Sequence, residues 1–344
     1  MRFKIFVCTL FFVFFCVTIS AQNKKTDTPK NGEGVDMFLR RNGYTTKEDR
    51  RKFLDLNKKK LGKDNSLKLG VKYTLPASST KTSKKDKKKK IPTGNQPLFG
   101  SKLAKYDIIS DKLKGACYYL VCGHGGPDPG TTYKLKTPKG TVTLSEDEYA
   151  YDIMLRVARN LLMNGATVDI IIQDAKDGIR EDMYLENSKR ETCMGASISI
   201  SQKERLKQRT DKINELSSKS KAKYQRAIFF HIDSWREHHR VDAYFIYHKD
   251  SSLGKSMAQN LRDELKVKYN KHQPTKRFNS AVKAAGVDTD KTLYVLGCKP
   301  VSVYAELGNL KNEKDRQRFL YPSNRQYLAD WLTLGLIKDY QENK

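Results

Sequence analysis

The sequence predicts an α/β fold over residues 97–344, with a mostly parallel sheet covered by helices on both faces, preceded by a small α+β module. Short apolar runs with the character of buried strands alternate there with longer amphipathic stretches of helical period. Such alternation is typical of parallel strands joined by helices. The predicted strands are residues 117–122, 167–172, 226–232, 243–247, 293–296 and 301–305, and the predicted helices are 150–163, 204–216, 252–269 and 325–337.

The first residues have the pattern of a secretory signal peptide. Arg2 and Lys4 precede an apolar run over residues 5–19, and the small residues Ser20 and Ala21 follow it. The alternative is a membrane anchor, but the run is shorter than the roughly 20 residues that a span needs. We therefore predict removal of residues 1–21 and no stable membrane span afterwards. The expected location is the periplasm, the cell envelope or the medium.

The chain is strongly basic, which predicts an anionic partner. Its 344 residues include 66 Lys and Arg against 39 Asp and Glu, a formal net charge of +27. Export disfavours nucleic acid, and the Lys-rich run over residues 84–90 lacks the interleaved aromatic residues of a nucleic-acid site. A membrane surface and an acidic wall polymer are the anionic partners that remain.

Four cysteines remain after removal of the signal peptide, and three pairings of them are open in an oxidising envelope. The absence of a CxxC spacing argues against a zinc site built on cysteine. The four are Cys117, Cys122, Cys193 and Cys298.

Residues 31–76 form a compact block, which we expect to contain two helices and a strand. Apolar residues recur at helical spacing around Phe38 and Phe53, and residues 67–76 alternate apolar and polar around Gly70. The block resembles a LysM module, a small fold that binds wall glycans, although a generic helical prodomain is the alternative. The matching residues are Gly34, Asn57, Leu67, Leu69, Gly70, Tyr73, Leu75 and Pro76. Residues 77–96 are rich in Lys, Ser and Thr and predict a flexible linker.

Polar side chains follow three predicted strands, where open α/β sheets place their ligand sites. His124 follows the strand 117–122 among glycines that permit close backbone approach. His231 and Asp233 close the strand 226–232 and point to the same side. Glu306 follows the strand 301–305, and burial of a carboxylate there is costly unless it is paired or used.

Two histidines and a glutamate are a usual ligand set for catalytic zinc, with water in the fourth position. Amide hydrolysis at such a metal needs a further carboxylate as general base and then proton donor. A run of acidic residues before the predicted helix 150–163 offers candidates, although such residues also serve as ordinary helix caps. The pattern leaves the carboxylate roles open among Asp128, Glu146, Glu148, Asp233 and Glu306.

These motifs resemble, in order, the zinc-dependent N-acetylmuramoyl-L-alanine amidases often called amidase 3, over about residues 118–336. The family's D-P-G-H-G-G-x-D-x-G is matched by V-C-G-H-G-G-P-D-P-G at residues 121–130. Its L-x-x-R-x-x-x-A-N helix and S-I-H-x-N strand are similar to residues 206–214 and 229–233. Its closing P-x-x-L-x-E-x-G-F-x-x-N is similar to residues 300–312.

The resemblance implies an activity and a role for each site residue. Zn²⁺ would be held by His124, Glu146 and His231. Glu146 lies nineteen residues before a glycine, as the second ligand does in the family, but Glu148 is close enough to be an alternative ligand. Glu306 would be the catalytic carboxylate. The implied reaction is hydrolysis of the amide between N-acetylmuramic acid and L-alanine in peptidoglycan by metal-activated water, with Glu306 as general base and acid.

The sequence departs from the family pattern in four places, one of which is the family's Thr-Arg after the second strand, replaced around Gln173. Val121 and Cys122 replace Asp and Pro, Asp233 replaces the Asn after the third ligand, and residues 177–199 are longer than an amidase requires. We hypothesise that Asp233 orients a metal ligand or the substrate amide. Two alternatives remain: a zinc peptidase acting on stem peptides, and a wall-binding protein with a degenerate catalytic domain.

Overall fold

The computed structural model describes residues 25–29, 33–44, 46–62, 65–76, 92–233, 239–272, 278, 280–286 and 292–344. The predicted signal peptide and residues 77–91 of the predicted linker lie outside the described residues. The chain divides into two compact units, residues 1–86 and 87–344. None of the helices among the described residues combines the length and apolarity needed to cross a membrane.

The described residues of the first unit form two helices and two short strands. The elements are β1 (Thr26–Asp27), α1 (Val35–Arg41), α2 (Lys47–Asn57) and β2 (Tyr73–Thr74), and the two strands pair antiparallel. Its core joins the rings of Phe38, Phe53 and Tyr73, with centroids 5.5 to 6.1 Å apart. The expected strand over residues 67–76 shortens to two residues, since Gly70 has a φ of +77° and turns the chain.

The second unit is built on a six-stranded sheet in the order β14-β13-β15-β12-β5-β8. Four of its five strand pairs are parallel, and β13 runs antiparallel to β15. The mostly parallel sheet confirms the predicted fold class. The strands are β5 (Ala116–Cys122), β8 (Thr167–Ile170), β12 (Tyr224–Asp233), β13 (Ala243–His248), β14 (Ser280–Ala285) and β15 (Val301–Asn309).

Helices cover the sheet, and the central strands are buried along almost their whole length. Helix α7 packs against both α3 and α5, while α4 packs against a 3₁₀ helix, Thr292–Gly297. The helices are α3 (Glu146–Met163), α4 (Gln202–Lys219), α5 (Ser252–His272), α6 (Glu313–Leu320) and α7 (Pro322–Asn343). The other strands form smaller sheets. Two are two-stranded: β3 (Thr93–Asn95) with β4 (Lys105–Asp107), and β6 (Thr132–Thr137) with β7 (Gly140–Ser145). One is three-stranded and contains β9 (Ile172–Gln173), β10 (Thr192–Cys193) and β11 (Ala196–Ser197).

Two element predictions were wrong. The apolar run 293–296 is a 3₁₀ helix and not a strand, because short apolar runs do not distinguish the two. The sixth strand is instead Ser280–Ala285, an edge strand whose largely exposed, Ala- and Lys-containing sequence gave no strand signal. The four cysteines that the structure describes are free and buried, so none of the open disulfide pairings forms.

A buried ion-pair network joins α3 to α7. Both Arg156 and Arg325 bond the carboxylate of Asp152, at 2.8 and 2.6 Å. The two guanidinium groups also donate to the backbone oxygen of Arg180, and Arg325 donates to that of Asp182. The network therefore fixes the start of the long segment that follows β9.

Candidate active site

The glycine after β5 lets two strands bring their polar ends together. Gly123 donates its N–H to the carbonyl of Phe230 at 3.0 Å. A Cβ at Gly123 would lie 1.8 Å from Nε2 of His231, so only glycine leaves room for that imidazole. The neighbouring His124 ring lies across it, with centroids 4.9 Å apart and an interplanar angle of 83°.

His124 is oriented through its other nitrogen. Its Nδ1 lies 2.9 Å from Oδ2 of Asp128, which also accepts from Arg205 at 2.6 Å. Burial opposes protonation of the His124 ring, but Glu146 and Asp128 raise its pKa to about 10. This arrangement leaves Nε2 of His124 directed toward Glu146, at 3.3 Å.

Glu146 is the first residue of α3 and is held by backbone donors. Its Oε2 accepts from Thr131 N and its Oε1 from Ile232 N, each at 2.9 Å. The same Oε1 lies 3.1 Å from Nδ1 of His231. One ligand atom from each of His124, Glu146 and His231 lies within 4.8 Å of the others. We call these three residues the triad.

Glu306 lies beside the triad, because the parallel register of β12 and β15 pairs it with His231. It is 8 % exposed, and its Oε2 has no hydrogen-bond partner among the described residues. Burial raises its pKa well above the usual range, and the charges of Glu146 and Asp233 add to the effect. The ring of Tyr304 stacks on His231 at 4.1 Å.

Asp233 follows a bulge in the pairing of β12 with β15 and accepts from the hydroxyl of Tyr244 at 2.9 Å. A cavity of about 190 Å³ joins the triad to Glu306, Asp233, Asp128 and Arg205. A larger cavity, of about 450 Å³, is lined by aromatic residues of α5 and α7 and contains no member of the triad. The smaller cavity therefore contains all the site residues that the sequence singled out except Glu148.

Glu148 points to a different place. Its Oε2 lies 2.8 Å from Arg180, and its other oxygen accepts from Ser188 N. Burial raises the pKa of Glu148 to about 7 and that of its neighbour Asp147 to about 9. The structure thus separates the two rivals, because it brings Glu146 to the histidines and leaves Glu148 in a second group of carboxylates.

Two arginines near the triad were not among the predicted site residues. Arg205 and Arg209 lie one turn apart on α4, and both line the small cavity. Arg209 is 1 % exposed and donates to the backbone oxygen of His124 at 3.3 Å. The available signal for Arg209 was its place in residues 206–214, where it matches the R of the family's L-x-x-R-x-x-x-A-N motif, and Arg205 lies outside that motif.

Comparison with known proteins identifies the family of this unit. The sequence model described as N-acetylmuramoyl-L-alanine amidase matches residues 119–338, more than half of the chain. No curated protein sequence matches the chain.

Solved amidase structures are similar at low sequence identity. The CwlD amidase of Clostridioides difficile, in complex with the GerS lipoprotein, is 23% identical, with 66% of this chain and 99% of that chain covered and a TM-score of 0.46. AmiC2 of Nostoc punctiforme is 20% identical, with 67% and 99% covered and a TM-score of 0.43. Ami1 of Mycobacterium smegmatis is 18% identical, with 67% and 99% covered and a TM-score of 0.45.

Proposed function

The chain belongs to the N-acetylmuramoyl-L-alanine amidase family, and we propose that it is a zinc-dependent enzyme that cuts the amide between N-acetylmuramic acid and L-alanine in peptidoglycan. The observation that carries the proposal is the triad, two imidazoles and a carboxylate within 4.8 Å, in one cavity with Glu306. Family membership supports the amide-cleaving reaction, and the triad supports the metal.

The triad fits zinc by its donor chemistry. Catalytic zinc takes three protein ligands from nitrogen and oxygen and keeps a fourth position open, and the triad supplies Nε2 of His124, Nδ1 of His231 and Oε1 of Glu146. Asp128 binds the far nitrogen of His124, as carboxylates commonly do behind a metal-bound histidine. When bound, zinc would supply Lewis acidity and lower the pKa of water.

Glu306 moves the proton in this proposal. As water attacks the amide carbonyl carbon, Oε2 of Glu306 accepts its proton and then donates it to the amide nitrogen. The C–N bond breaks, which leaves a carboxylate on the lactyl group of the sugar and a free amine on L-alanine. Oε2 of Glu306 has no hydrogen-bond partner among the described residues, so it is available for both proton transfers.

Asp233 is proposed to orient the site through Tyr244. Its carboxylate accepts from the Tyr244 hydroxyl and lines the same cavity as the triad. We expect Asp233→Ala to weaken zinc binding or to raise KM, because a carboxylate near the metal can hold a ligand or the substrate amide. Unchanged zinc affinity and unchanged activity would contradict this role.

The remainder of the proposal concerns delivery to the wall. We propose that the chain is exported after loss of residues 1–21 and that residues 31–76 bind wall glycan as a LysM-like module, with residues 77–96 as linker. Such an anchor raises the local substrate concentration without adding chemistry. Removal of residues 1–21 predicts a mature chain that begins at Gln22. If residues 31–76 bind glycan, this chain should sediment with purified peptidoglycan more strongly than a chain that begins at Lys87.

Digestion of purified peptidoglycan by the mature chain, followed by mass analysis, tests the reaction. We expect free stem peptides with an unblocked L-alanine amine and unsubstituted glycan, both lost with chelator and restored by zinc. Shortened peptides still attached to the sugar would assign a peptidase instead. Zinc and wall binding without any product would assign a degenerate binding protein.

A further inference from the structure

A second group of carboxylates lies next to the triad and is not used by the proposed reaction. Its members come from the first turn of α3 and from the segment between β9 and β10, and we call them the acidic cluster. Oxygens of Asp147, Glu148 and Glu191 lie within 4.8 Å of one another, as do those of Asp174, Asp177 and Glu191. Glu191 belongs to both groups, so the five residues are contiguous.

The acidic cluster carries more negative charge than its cations offset. Arg180 pairs with Glu148 and Asp177, and Arg190 pairs with Asp174 and Asp177. With all five carboxylates ionised, these two guanidinium groups leave a net charge of −3, and Asp147 and Glu191 form no ion pair among the described residues. Buried charges are normally paired or bound to a metal, since an uncompensated one is expensive.

One oxygen in the acidic cluster is left without any partner. Asp147 is 2 % exposed, and its Oδ1 accepts only from the next backbone N–H, that of Glu148, at 2.9 Å. Its Oδ2 has no hydrogen-bond partner among the described residues. A buried carboxylate oxygen of this kind is rare in a native fold, because the water it loses must be replaced.

We propose that the acidic cluster binds a divalent cation of the calcium class, held chiefly by Asp147, Glu148 and Glu191. Calcium takes oxygen ligands at about 2.3 to 2.6 Å, so ligand oxygens on opposite sides of it lie up to about 5 Å apart. The carboxylate oxygens of each group, which lie within 4.8 Å of one another, are therefore close enough to share one such ion. The cluster offers neither imidazole nor thiolate, so its donors suit a hard cation and not zinc.

The cation would fasten the segment after β9 to the two elements that carry triad residues. Glu191 Oε2 accepts from Gly126 N at 2.8 Å, in the loop that follows His124. Asp147 and Glu148 follow Glu146 directly in α3. Ser188 lies between two other members of the cluster. Its hydroxyl oxygen is 2.9 Å from Oδ2 of Asp174 and 2.7 Å from Oε1 of Glu191, and it can donate its one proton to either. The site is structural and does not depend on the proposed reaction.

The test is a calcium titration of the mature chain loaded with one equivalent of zinc. We expect equilibrium dialysis with radioactive Ca²⁺ to give one bound ion per chain. At a hundredfold excess over Kd, thermal unfolding should shift upward by about 5 to 10 °C. Asp147→Asn and Glu191→Gln should each lose the bound ion and the shift, while Glu186→Gln, which changes an exposed carboxylate on the same segment, should keep both.

Two results would overturn the proposal. One is a wild-type chain that binds no Ca²⁺ at millimolar concentration and unfolds at the same temperature with and without it. The other is a folded Asp147→Asn variant that binds Ca²⁺ as tightly as the wild type. Because these readouts do not involve peptidoglycan, failure of the amidase proposal would leave them unaffected.

Discussion

The triad and the acidic cluster are both built on the first turn of α3, yet their donors differ. Glu146 joins two imidazoles at the ends of β5 and β12, whereas Asp147 and Glu148 join carboxylates from an irregular segment. Nitrogen donors with one carboxylate favour zinc, and an all-oxygen set favours calcium. In the two proposals, three consecutive acidic residues serve two sites, and the partner residues decide which metal each site would bind.

The two sites also differ in the elements that position their residues: strands of the central sheet and the start of a helix for the triad, and mainly an irregular segment for the acidic cluster. The triad histidines lie at or just after buried strands of the central sheet, and backbone N–H groups hold Glu146. The acidic cluster takes three of its five residues from the segment between β9 and β10, which the ion pairs of Arg180 and Arg190 hold in place. We expect the triad to keep its geometry without its metal better than the acidic cluster does.

The largest expected effect is at the triad. His231→Ala removes one of three zinc ligands, so we expect zinc to be lost and amidase activity to fall by about ten-thousandfold or more. The calcium-dependent shift in unfolding temperature should remain. Metal analysis and the initial rate of peptide release measure the two quantities, and a variant with zinc and normal activity would refute the assignment.

Glu306→Gln separates proton transfer from metal binding. The amide keeps the shape of the side chain but cannot accept the proton, so kcat should fall by about 10²- to 10⁴-fold while zinc stays bound. Glu313→Gln, at an exposed position of α6, is the matched control and should behave as the wild type. Loss of zinc in Glu306→Gln would instead make Glu306 a ligand.

Arg325→Met tests the frame of the second unit. Removal of the Arg325 guanidinium leaves Asp152 with Arg156 as its cation partner and takes a donor from each of the backbone oxygens of Phe319 and Asp182, so we expect a loss of about 3 to 5 kcal/mol in the free energy of unfolding. The segment after β9 loses two anchors at the same time, so calcium affinity should fall more than zinc affinity. Urea unfolding and the two metal titrations check this order.

The same pair predicts a pH dependence of stability. Burial alone would raise the pKa of Asp152, but Arg156 and Arg325 lower it below its usual range. Its contribution is therefore fully present above the unfolded pKa, about 3.9, and is lost as pH falls through the folded value. Asp152→Asn should be less stable than the wild type at pH 7, and the difference should shrink below about pH 4. A constant difference down to pH 3 would contradict the account.

The smallest expected effect is at Asp128, which contacts Nδ1 of His124. Asp128→Asn weakens the partner that orients His124, so zinc affinity should fall by about 10- to 100-fold with the fold intact. Asp211→Asn, an exposed change on α4, is the control. Competition with a chromophoric chelator measures both, and equal affinities would show that Arg205 and Asp128 do not position the ring.

The sequence predicts one of the two sites much better than the other, for a physical reason. His124 follows β5, and His231 and Glu306 lie in the carboxyl-terminal halves of β12 and β15. Parallel strands bring their carboxyl ends to one edge of a sheet. Asp174 and Glu191 lie on a segment with little regular structure, so no periodicity relates them to α3. The sequence therefore left both Glu146 and Glu148 as candidates for the metal ligand. Only the three-dimensional contacts show that Glu146 lies against the two histidines and that Glu148 lies against Arg180.

Anomalous diffraction from crystals of the mature chain, grown with one equivalent of zinc and millimolar calcium, tests the central claim most directly. Data collected above and below the zinc absorption edge should give a zinc peak among Nε2 of His124, Oε1 of Glu146 and Nδ1 of His231. A second anomalous peak, from calcium and therefore unchanged across the zinc edge, should lie among Asp147, Glu148 and Glu191. A triad without zinc, or zinc in the acidic cluster instead, would contradict the account.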